Sequence, residues 1–279
     1  MISVFGGRGF IGRRFCSLYP EETLVLPRES RTAETNDVLY LISTVHNYHI
    51  FNDPHLDIDT NLHVLIDVLE TCRKNNPLGT VFNFISSWFV YGKTSSLPAS
   101  ESTACNPKGF YSITKRAAEQ LLISYCETHD MNYRILRLAN VYGAGDQKAS
   151  TKKNALQHMI GELANNRDIN LYDGGAHLRD FIYVDDACAA IKLCVDKAPL
   201  NEIINIGTGI PTSIGEAMGY VRDQLNSTST FNHVEPPHFH NVVQVKNMYL
   251  DITKLKDLNF TPEYDIKRGL DKILESYKR

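Results

Sequence analysis

Apolar residues are spaced along the chain in two ways, and the two spacings alternate. Nearly continuous apolar runs, of the kind that form buried parallel strands, predict strands over residues 2–5, 23–26, 38–43, 80–86 and 133–138. Apolar residues at helical spacing predict amphipathic helices over residues 11–18, 61–74 and 111–129. Strand–helix alternation of this kind predicts an α/β fold, with a doubly wound parallel sheet and helices on both of its faces.

The connection between the second and third predicted strands is unusually short. Residues 28–37 are too few for a crossover helix and another strand, so we expect one peripheral βα unit to be trimmed from the sheet after the second strand.

After Asn140 the predicted elements become shorter. They are a helix over 154–165, strands over 169–172 and 181–184, and a helix over 185–197. This change predicts two parts, a larger domain of residues 1–145 with 178–206 and a smaller C-terminal lobe of residues 146–177 with 207–279. The lobe is expected to close over the carboxyl edge of the sheet, where open α/β folds bind ligands.

The charge balance and the apolar runs bear on the partners of the protein. The 279 residues include 29 Lys and Arg against 32 Asp and Glu, a net charge of −3, whereas a nucleic-acid-binding domain carries a basic patch or stripe. No apolar run approaches the roughly 20 residues of a membrane span, and no secretory signal is expected before the first glycines. We therefore expect neither a nucleic acid nor a membrane as a partner.

Six scattered cysteines, without a C-x-x-C pair, indicate reduced thiols in a cytoplasmic protein. His238 and His240 lie in a predicted loop with Pro236 and Pro237 and lack a third ligand, so we assign no metal.

Three glycines follow the first predicted strand and open the first predicted helix. Gly6, Gly9 and Gly12 form a G-x-x-G-x-x-G pattern. The first glycine allows a tight turn, the second lets a pyrophosphate approach the backbone, and the third lets the helix pack closely on the strand. Because the helix start favours phosphate groups, this context predicts a dinucleotide site of the Rossmann type, with a purely structural turn as the alternative. The residues assigned to the site are Gly6, Arg8, Gly9, Phe10, Ile11 and Gly12.

The residues after the second predicted strand bear on which dinucleotide binds. An NAD site usually has Asp or Glu at this point to hold the ribose hydroxyls, but here the strand runs into Pro27-Arg28-Glu29. Arg28, together with Arg8 in the glycine turn, could bind a 2′-phosphate bidentately, which favours NADP (as NADPH) over NAD. Two alternatives stay open: both arginines are solvated surface residues, or Glu29 serves an NAD ribose if the strand is one residue longer.

A phenol and an ammonium lie four residues apart on the predicted helix 111–129. Tyr111 and Lys115 therefore share one helix face, where the ammonium is expected to lower the pKa of the phenol from about 10 toward neutral pH. Ser86 and Ser87 stand at the end of the preceding predicted strand. A hydroxyl there can hydrogen-bond the same substrate oxygen that the tyrosine protonates, so the combination predicts an acid–base site.

With these motifs the chain resembles the extended short-chain dehydrogenases/reductases, the NAD-dependent epimerase/dehydratase group. Besides the glycine turn, the resemblance rests on residues 86–92 (SSWFVYG), 111–115 (YSITK), 137–143 (RLANVYG), 179–186 (RDFIYVDD) and 205–207 (NIG), and it covers essentially the whole chain. It implies a Rossmann sheet with a small nucleotide-sugar lobe. It also implies that Tyr111 is the catalytic acid/base, that Lys115 tunes its pKa and binds the nicotinamide ribose, and that Ser87 polarises the substrate. Ser43 is assigned to the cofactor site.

The resemblance further implies a nucleotide-sugar substrate. Asn140 and Arg179 are expected to bind the nucleotide diphosphate, and Lys246 lies near a second phosphate position where the family usually has Arg. The alternative for Asn140 is a turn residue that caps backbone groups, and for Arg179 it is a salt bridge to Asp180 or Asp185. The residues assigned to substrate binding are Ser86, Ser87, Trp88, Asn140, Arg179 and Lys246.

The family also pairs the helices that correspond to residues 61–74 and 111–129 with their copies, so a homodimer is expected. The apolar faces of the second helix would equally fit the core of a monomer. The side chains on these faces are Ala118, Leu121, Leu122 and Tyr125.

The two residues after Ser87 discriminate among the reactions of the family. The 4,6-dehydratases carry Asp-Glu there and the epimerase-reductases that make GDP-fucose carry Cys, whereas this chain has Trp88-Phe89, which cannot transfer protons. The prediction is therefore NADPH-dependent reduction of the C4 keto group of a nucleotide-activated 4-keto-6-deoxyhexose, with a dTDP-sugar favoured, in deoxysugar synthesis for surface polysaccharide. The alternatives are an NAD-dependent UDP-hexose 4-epimerase and a redox-sensing regulator that binds NADP without turnover.

Overall fold

The computed structural model describes residues 1–75, 79–94, 96–146 and 154–277. The strands are, in chain order, β1 (Ile2–Phe5), β2 (Thr23–Val25), β3 (Asp37–Tyr40), β4 (Val81–Ser87), β5 (Asn132–Leu138), β6 (Asn140–Tyr142), β7 (Ile169–Tyr172), β8 (Leu178–Tyr183), β9 (Glu202–Ile206), β10 (Pro211–Ser213) and β11 (Phe231–Val234). The helices are α1 (Phe10–Leu18), α2 (Leu56–Ile58), α3 (Val64–Asn75), α4 (Phe110–Thr128), α5 (Ala155–Ala164), α6 (Val184–Lys197), α7 (Ile214–Leu225), α8 (His238–Val243), α9 (Thr253–Asp257) and α10 (Ile266–Leu274). A π-helical turn, Asp59–His63, joins α2 to α3. Over the described ranges, no helix combines the length and the apolar character that crossing a membrane requires.

Six parallel strands form the main sheet, in the order β2-β1-β3-β4-β5-β9. Alternate residues of β3 face opposite sides of this sheet, Leu39 toward one buried apolar cluster and Val38 and Tyr40 toward another. Helices α1 and α6 contribute to the first cluster and α3 and α4 to the second, so helices cover both faces. The predicted doubly wound α/β fold is confirmed.

The sheet ends early on the side of β2. Residues 26–36 join β2 directly to β3 and contain neither a helix nor a strand, which agrees with the trimmed βα unit that the sequence predicts. The pairing of β3 with β1 ends at Tyr40, opposite Phe5, because β1 ends there and the chain turns at Gly6. The predicted strand 38–43 is therefore too long, and residues 41 and 43–46 instead line a cleft.

The second half of the chain adds two small sheets. Strands β6, β8 and β10 form one of them, and β7 pairs with β11 in the other. Strand β8 begins at Leu178, before the predicted strand 181–184, because Leu178–Asp180 pair with β10. His238 and His240, predicted to lie in a loop, are instead part of helix α8, which starts directly after Pro237. The division into a domain of 1–145 with 178–206 and a lobe of 146–177 with 207–279 stays a prediction.

Candidate functional site

The glycine turn has the backbone geometry that the sequence predicts. Gly6 has a φ of 79°, and the Gly9 N–H donates to the Gly6 carbonyl oxygen over 3.0 Å to close the turn. Gly12 packs so close to the turn that a Cβ atom on it would lie 2.5 Å from that carbonyl oxygen. Helix α1 starts at Phe10 without a side-chain cap, so its first N–H groups can hold an anion.

A cleft of about 900 Å³ begins at this turn and extends to residues of the second half of the chain. The predicted site residues that line it are Gly6, Gly9, Phe10, Ile11, Gly12, Ser43, Ser86, Ser87, Trp88, Tyr111, Lys115, Asn140, Arg179 and Lys246. Arg8 and Arg28 are not part of this wall, and both are exposed. The structure therefore brings most of the predicted site together and leaves the two arginines at the surface.

Helix α4 places the phenol of Tyr111 in the wall of the cleft. The helix starts after Gly109, where a Cβ atom would lie 2.1 Å from the side-chain oxygen of Asn47, so only glycine fits. Ser87 and Ser43 line the same cleft as Tyr111. Burial raises the pKa of Tyr111 above its ordinary value, and the side chains of these two serines act on it in the opposite direction.

Lys115 is buried one turn further along α4. Its Nζ donates to the Ile85 carbonyl oxygen over 2.6 Å and lies 4.0 Å from the centre of the Phe84 ring. Burial lowers the pKa of Lys115 to about 7, and the Glu119 carboxylate acts in the opposite direction. The sequence predicted that the ammonium lowers the pKa of Tyr111, but the structure shows that burial of the phenol prevails and raises it. The phenol is therefore protonated at neutral pH and can donate a proton.

The two serines at the end of β4 have different partners. The Ser86 hydroxyl donates to the Glu119 carboxylate over 2.5 Å, whereas the Ser87 hydroxyl accepts the Phe89 N–H over 3.3 Å and acts to lower the pKa of Tyr111. Successive side chains of a strand point to opposite sides, which separates the two hydroxyls. Ser87 is the serine beside the phenol, and a substrate-binding role for Ser86 stays a prediction.

Arg179 is a buried guanidinium that has no carboxylate partner among the residues the structure describes. Its N–H groups donate to backbone carbonyl oxygens of Leu178 (2.8 Å), Val245 (2.7 Å) and Lys246 (2.6 Å). Its Cζ lies 5.4 Å from the centre of the Trp88 ring, and burial lowers its pKa to about 10, so the group is a cation at neutral pH. The salt bridge considered for it is not observed, since Asp185 pairs with Arg14 at 2.6 Å and Asp180 accepts three backbone N–H groups.

Asn140 and Lys246 line the cleft but already have partners. The Asn140 side-chain amide donates to the Asp180 carbonyl oxygen over 3.1 Å, a contact of the kind expected of a residue that caps backbone groups. The Lys246 ammonium lies 3.4 Å from the Asp173 carboxylate, and its side chain is 72% exposed. A role of either residue in binding a diphosphate stays a prediction.

Sequence reasoning missed a group of side chains at the far end of the cleft. The Tyr48 hydroxyl hydrogen-bonds Nε2 of His240, whose ring packs edge-on against Tyr172 at 4.8 Å. Burial lowers the pKa of His240, and the nearby Arg179 cation acts in the same direction. Tyr48 and His240 are 192 positions apart, and a helix as short as α8 has too little periodicity to reveal itself in the sequence.

The fold is shared with enzymes of known structure. UDP-glucose 4-epimerase from Thermotoga maritima, solved with UDP-glucose, superposes with a TM-score of 0.89 at 22% identity, over 99% of this chain and 98% of that chain. This likeness confirms the Rossmann-type sheet predicted from the sequence.

Sequence relatives and a family model agree with the fold. A putative UDP-glucose 4-epimerase of Methanocaldococcus jannaschii is 29% identical over 86% of this chain and 76% of its own length. A dTDP-4-dehydro-6-deoxyglucose reductase of Escherichia coli is 25% identical over 68% of this chain and 58% of its own length. The model of the NAD dependent epimerase/dehydratase family matches residues 34–207, more than half of the chain. The chain therefore belongs to the NAD dependent epimerase/dehydratase family, as its motifs indicated.

Proposed function

We propose that the protein is an NADPH-dependent reductase of the C4 keto group of a nucleotide-activated 4-keto-6-deoxyhexose. The observation that supports this most is that the Tyr111 phenol, the Ser87 hydroxyl and the Lys115 side chain line one cleft together with the glycine turn. Two hydroxyl groups in the wall of one cleft can hold and protonate a carbonyl oxygen of a bound substrate. The relatives include a reductase of this kind as well as epimerases.

The cleft has the features that a dinucleotide cofactor needs. The uncapped start of α1 offers N–H groups to a pyrophosphate, and the missing side chains of Gly9 and Gly12 leave the turn compact and its backbone accessible. Lys115 and Ser43 line the same wall, where we assign Lys115 to the nicotinamide ribose and Ser43 to the cofactor site. When bound, the nicotinamide cofactor supplies the hydride.

The residues of this chain supply the proton and the orientation. Tyr111 donates its phenolic proton to the C4 oxygen, and the Ser87 hydroxyl donates a hydrogen bond to the same oxygen. The carbonyl carbon thus gains a hydride and the oxygen a proton, which gives an alcohol, and solvent returns the proton to the phenol. Because burial raises the pKa of Tyr111, the side chain is protonated at the start of the reducing direction.

Arg8 and Arg28 favour NADPH as the cofactor. Both are exposed, one in the glycine turn and the other shortly after β2. Neither has a carboxylate partner within the described part of the chain, whereas the neighbouring Arg31 lies 3.8 Å from Asp67. Two unengaged guanidiniums at this end of the cofactor site suit a 2′-phosphate.

The two aromatic residues that follow Ser87 in the cleft wall bear on which sugar the site accepts. Trp88 and Phe89 stack with their ring centres 3.9 Å apart and line the cleft, where they offer an apolar surface to a C6 methyl group. Neither can act as the acid or base that dehydration of a sugar requires. We assign Arg179, the buried cation with no carboxylate partner in the described ranges, to the nucleotide diphosphate, with Asn140 beside it.

The test is an absorbance assay of nicotinamide oxidation with a panel of nucleotide 4-keto-sugars and either NADPH or NADH. A dTDP-4-keto-6-deoxyhexose should oxidise NADPH faster than NADH. The double variant Arg8→Ala/Arg28→Ala should lose this preference, whereas Arg31→Ala should keep it. If no keto-sugar oxidises NADPH while a UDP-hexose is converted to its C4 epimer, the reductase proposal is wrong.

An NAD-dependent UDP-hexose 4-epimerase is the second candidate, because the 29% identical relative is named a putative UDP-glucose 4-epimerase. Epimerisation would need the same tyrosine and serine, and a bound nicotinamide cofactor would supply reversible hydride chemistry at C4. Copurified NAD, with conversion of a UDP-hexose in the absence of added nucleotide, would favour this candidate.

A further inference from the structure

A buried carboxylate lies behind the tyrosine and lysine of the proposed site. Glu119 is on α4, one turn after Lys115, and its side chain is fully buried. It accepts hydrogen bonds from the Ser86 hydroxyl (2.5 Å) and from two nitrogens of Arg137 (3.0 and 2.8 Å). It also pairs with Arg116 at 2.8 Å. Glu119 therefore ties the catalytic helix α4 to the carboxyl ends of β4 and β5.

These bonds determine how α4 sits against β4. Tyr111, Lys115 and Glu119 recur at four-residue spacing and so lie on one face of the helix. Lys115 donates a hydrogen bond to the Ile85 carbonyl oxygen, and Glu119 accepts one from the side chain of the following residue, Ser86. The strand end that carries Ser87 is thereby attached to the helix that carries the phenol at two consecutive residues.

The negative charge of Glu119 also acts on the pKa of Lys115. The ammonium is buried against a carbonyl oxygen and an aromatic ring, and the Glu119 carboxylate is the group that favours its charged form. The other charged or titratable groups around the pair are Tyr111 on α4 itself, Arg137 on β5 behind Glu119, and Asp57 on α2, which acts on Tyr111.

We propose that Glu119 is a positioning residue of the reaction, which holds the Ser86–Ser87 strand end against α4 and places a negative charge one helical turn behind Lys115. This inference rests on the proposed function of Tyr111, Ser87 and Lys115. A merely structural ion pair with Arg137 would stabilise the fold equally well but would leave the protonation of Lys115 unchanged. The pH dependence of turnover separates the two roles.

The first test measures kcat with NADPH as a function of pH for two variants, Glu119→Gln and Ser86→Ala. Glu119→Gln keeps the shape of the side chain and removes its charge, so the loss of activity at alkaline pH should begin about one pH unit lower than in the wild type. Ser86→Ala removes a hydrogen bond to Glu119 and keeps the charge, so its alkaline limb should stay at the wild-type pH while kcat falls. Coincident alkaline limbs in Glu119→Gln and the wild type would overturn the proposal.

A second variant covers the case in which Glu119→Gln fails to fold because Arg137 loses its buried partner. Arg116 is 28% exposed and can be replaced without burying a lone charge. Arg116→Gln leaves the Glu119 charge less neutralised, so the alkaline limb should move to higher pH. An unchanged limb, or a shift to lower pH, contradicts the proposal.

A direct titration keeps this inference separate from the proposed function. The Lys115 resonance of protein labelled with ¹³C-lysine can be assigned by its loss in Lys115→Met and followed by NMR against pH. The pKa of Lys115 should be lower in Glu119→Gln and higher in Arg116→Gln than in the wild type, whether or not any keto-sugar is a substrate. If the pKa of Lys115 shifts in these variants but no keto-sugar is turned over, only the reductase proposal is wrong. If a keto-sugar is turned over but the pKa of Lys115 does not shift, only the proposed role of Glu119 is wrong.

Discussion

Tyr111 is buried and lines the same cleft as Ser87 and Ser43. Burial disfavours the phenolate, and the serine hydroxyls stabilise it, with burial the larger of the two effects. A phenol in this state is a proton donor at neutral pH, which is what carbonyl reduction requires. For Lys115, four residues later, burial shifts the pKa in the opposite direction, because it disfavours the charged ammonium.

Tyr111→Phe should lower kcat by about 10²–10⁴-fold, because the variant cannot donate a proton to the C4 oxygen. Binding of cofactor and nucleotide should change little, since the ring remains. The measurement is kcat with NADPH together with the Kd of the nucleotide by calorimetry. Tyr125→Phe is the matched control on the same helix, since that hydroxyl donates to Glu70 at 2.5 Å. Full turnover in Tyr111→Phe would rule out the acid role.

The low pKa of Lys115 also predicts a pH dependence of stability. The pKa is about 7 in the folded protein and rises to its ordinary 10.5 on unfolding, so between these values the unfolded chain binds a proton that the folded chain lacks. The contribution of Lys115 to the free energy of unfolding therefore increases as pH rises from about 7 to about 10.5.

Lys115→Met removes this titration. Urea unfolding at pH 7 and pH 9 should show the wild type gaining stability relative to the variant as pH rises. Lys272→Met, at a side chain that is 45% exposed, is the control and should follow the wild type. Parallel behaviour of Lys115→Met and the wild type would contradict the prediction.

Strand β1, the glycine turn and helix α1 form one compact element. The left-handed backbone at Gly6 reverses the chain, and Gly12 then packs directly on the Gly6 carbonyl. The close approach leaves the start of α1 facing the cleft. The same packing that shapes the element thus leaves the first N–H groups of α1 without a side-chain cap, in an arrangement that favours anions.

Gly12→Ala should disturb both the packing and the binding end of this element. The added methyl would lie 2.5 Å from the Gly6 carbonyl oxygen, so we expect a loss of about 1–3 kcal/mol in the free energy of unfolding and weaker NADPH binding. The control is Gly219→Ala in α7, where a Cβ atom meets nothing within 4 Å and a gain of about 0.4–1 kcal/mol is expected. Equal stabilities of the two variants would contradict this account of the turn.

At the scale of the whole molecule, α3 and α4 cover one face of the main sheet, and some of their apolar side chains are exposed to solvent. Ile66 on α3 is 37% exposed, and Ile113 and Leu121 on α4 are 45% and 41% exposed. Ile113 and Leu121 are eight residues apart and share a helix face, whereas Leu122 and Ala118 point into the core. This surface is where we place the predicted homodimer contact.

Leu121→Lys should convert the dimer to a monomer, because a charge at the centre of an apolar contact is costly to bury. Light scattering after gel filtration measures the mass, and circular dichroism checks that the fold is kept. Leu200→Lys, at a site that is 44% exposed elsewhere, should leave the mass unchanged. A wild-type protein that is monomeric at high concentration would refute the dimer prediction.

Features that depend on neighbours along the chain could be predicted from the sequence. The glycine turn follows from sterics that only glycine meets at Gly6 and Gly12, and the pairing of Tyr111 with Lys115 on one face follows from the helical repeat. Apolar spacing identified five of the six strands of the main sheet, because buried parallel strands are apolar on both faces, but it missed β9.

Other features required the folded chain. Ser86 and Ser87 are adjacent and chemically alike, and only the packing of α4 on β4 shows that one donates to Glu119 and the other lines the cleft with Tyr111 and acts on its pKa. The opposite pKa shifts of Tyr111 and Lys115 follow from burial, which spacing does not contain.

The amino-acid order alone thus determined the class of fold, the glycine turn and the chemical groups available, because backbone sterics and periodicity act over a few residues. The tertiary structure decided which of those groups meet, which stay at the surface, as Arg8 and Arg28 do, and which carry charge. Desolvation and long-range pairing, such as that of Tyr48 with His240 across 192 positions, arise only when distant segments come together.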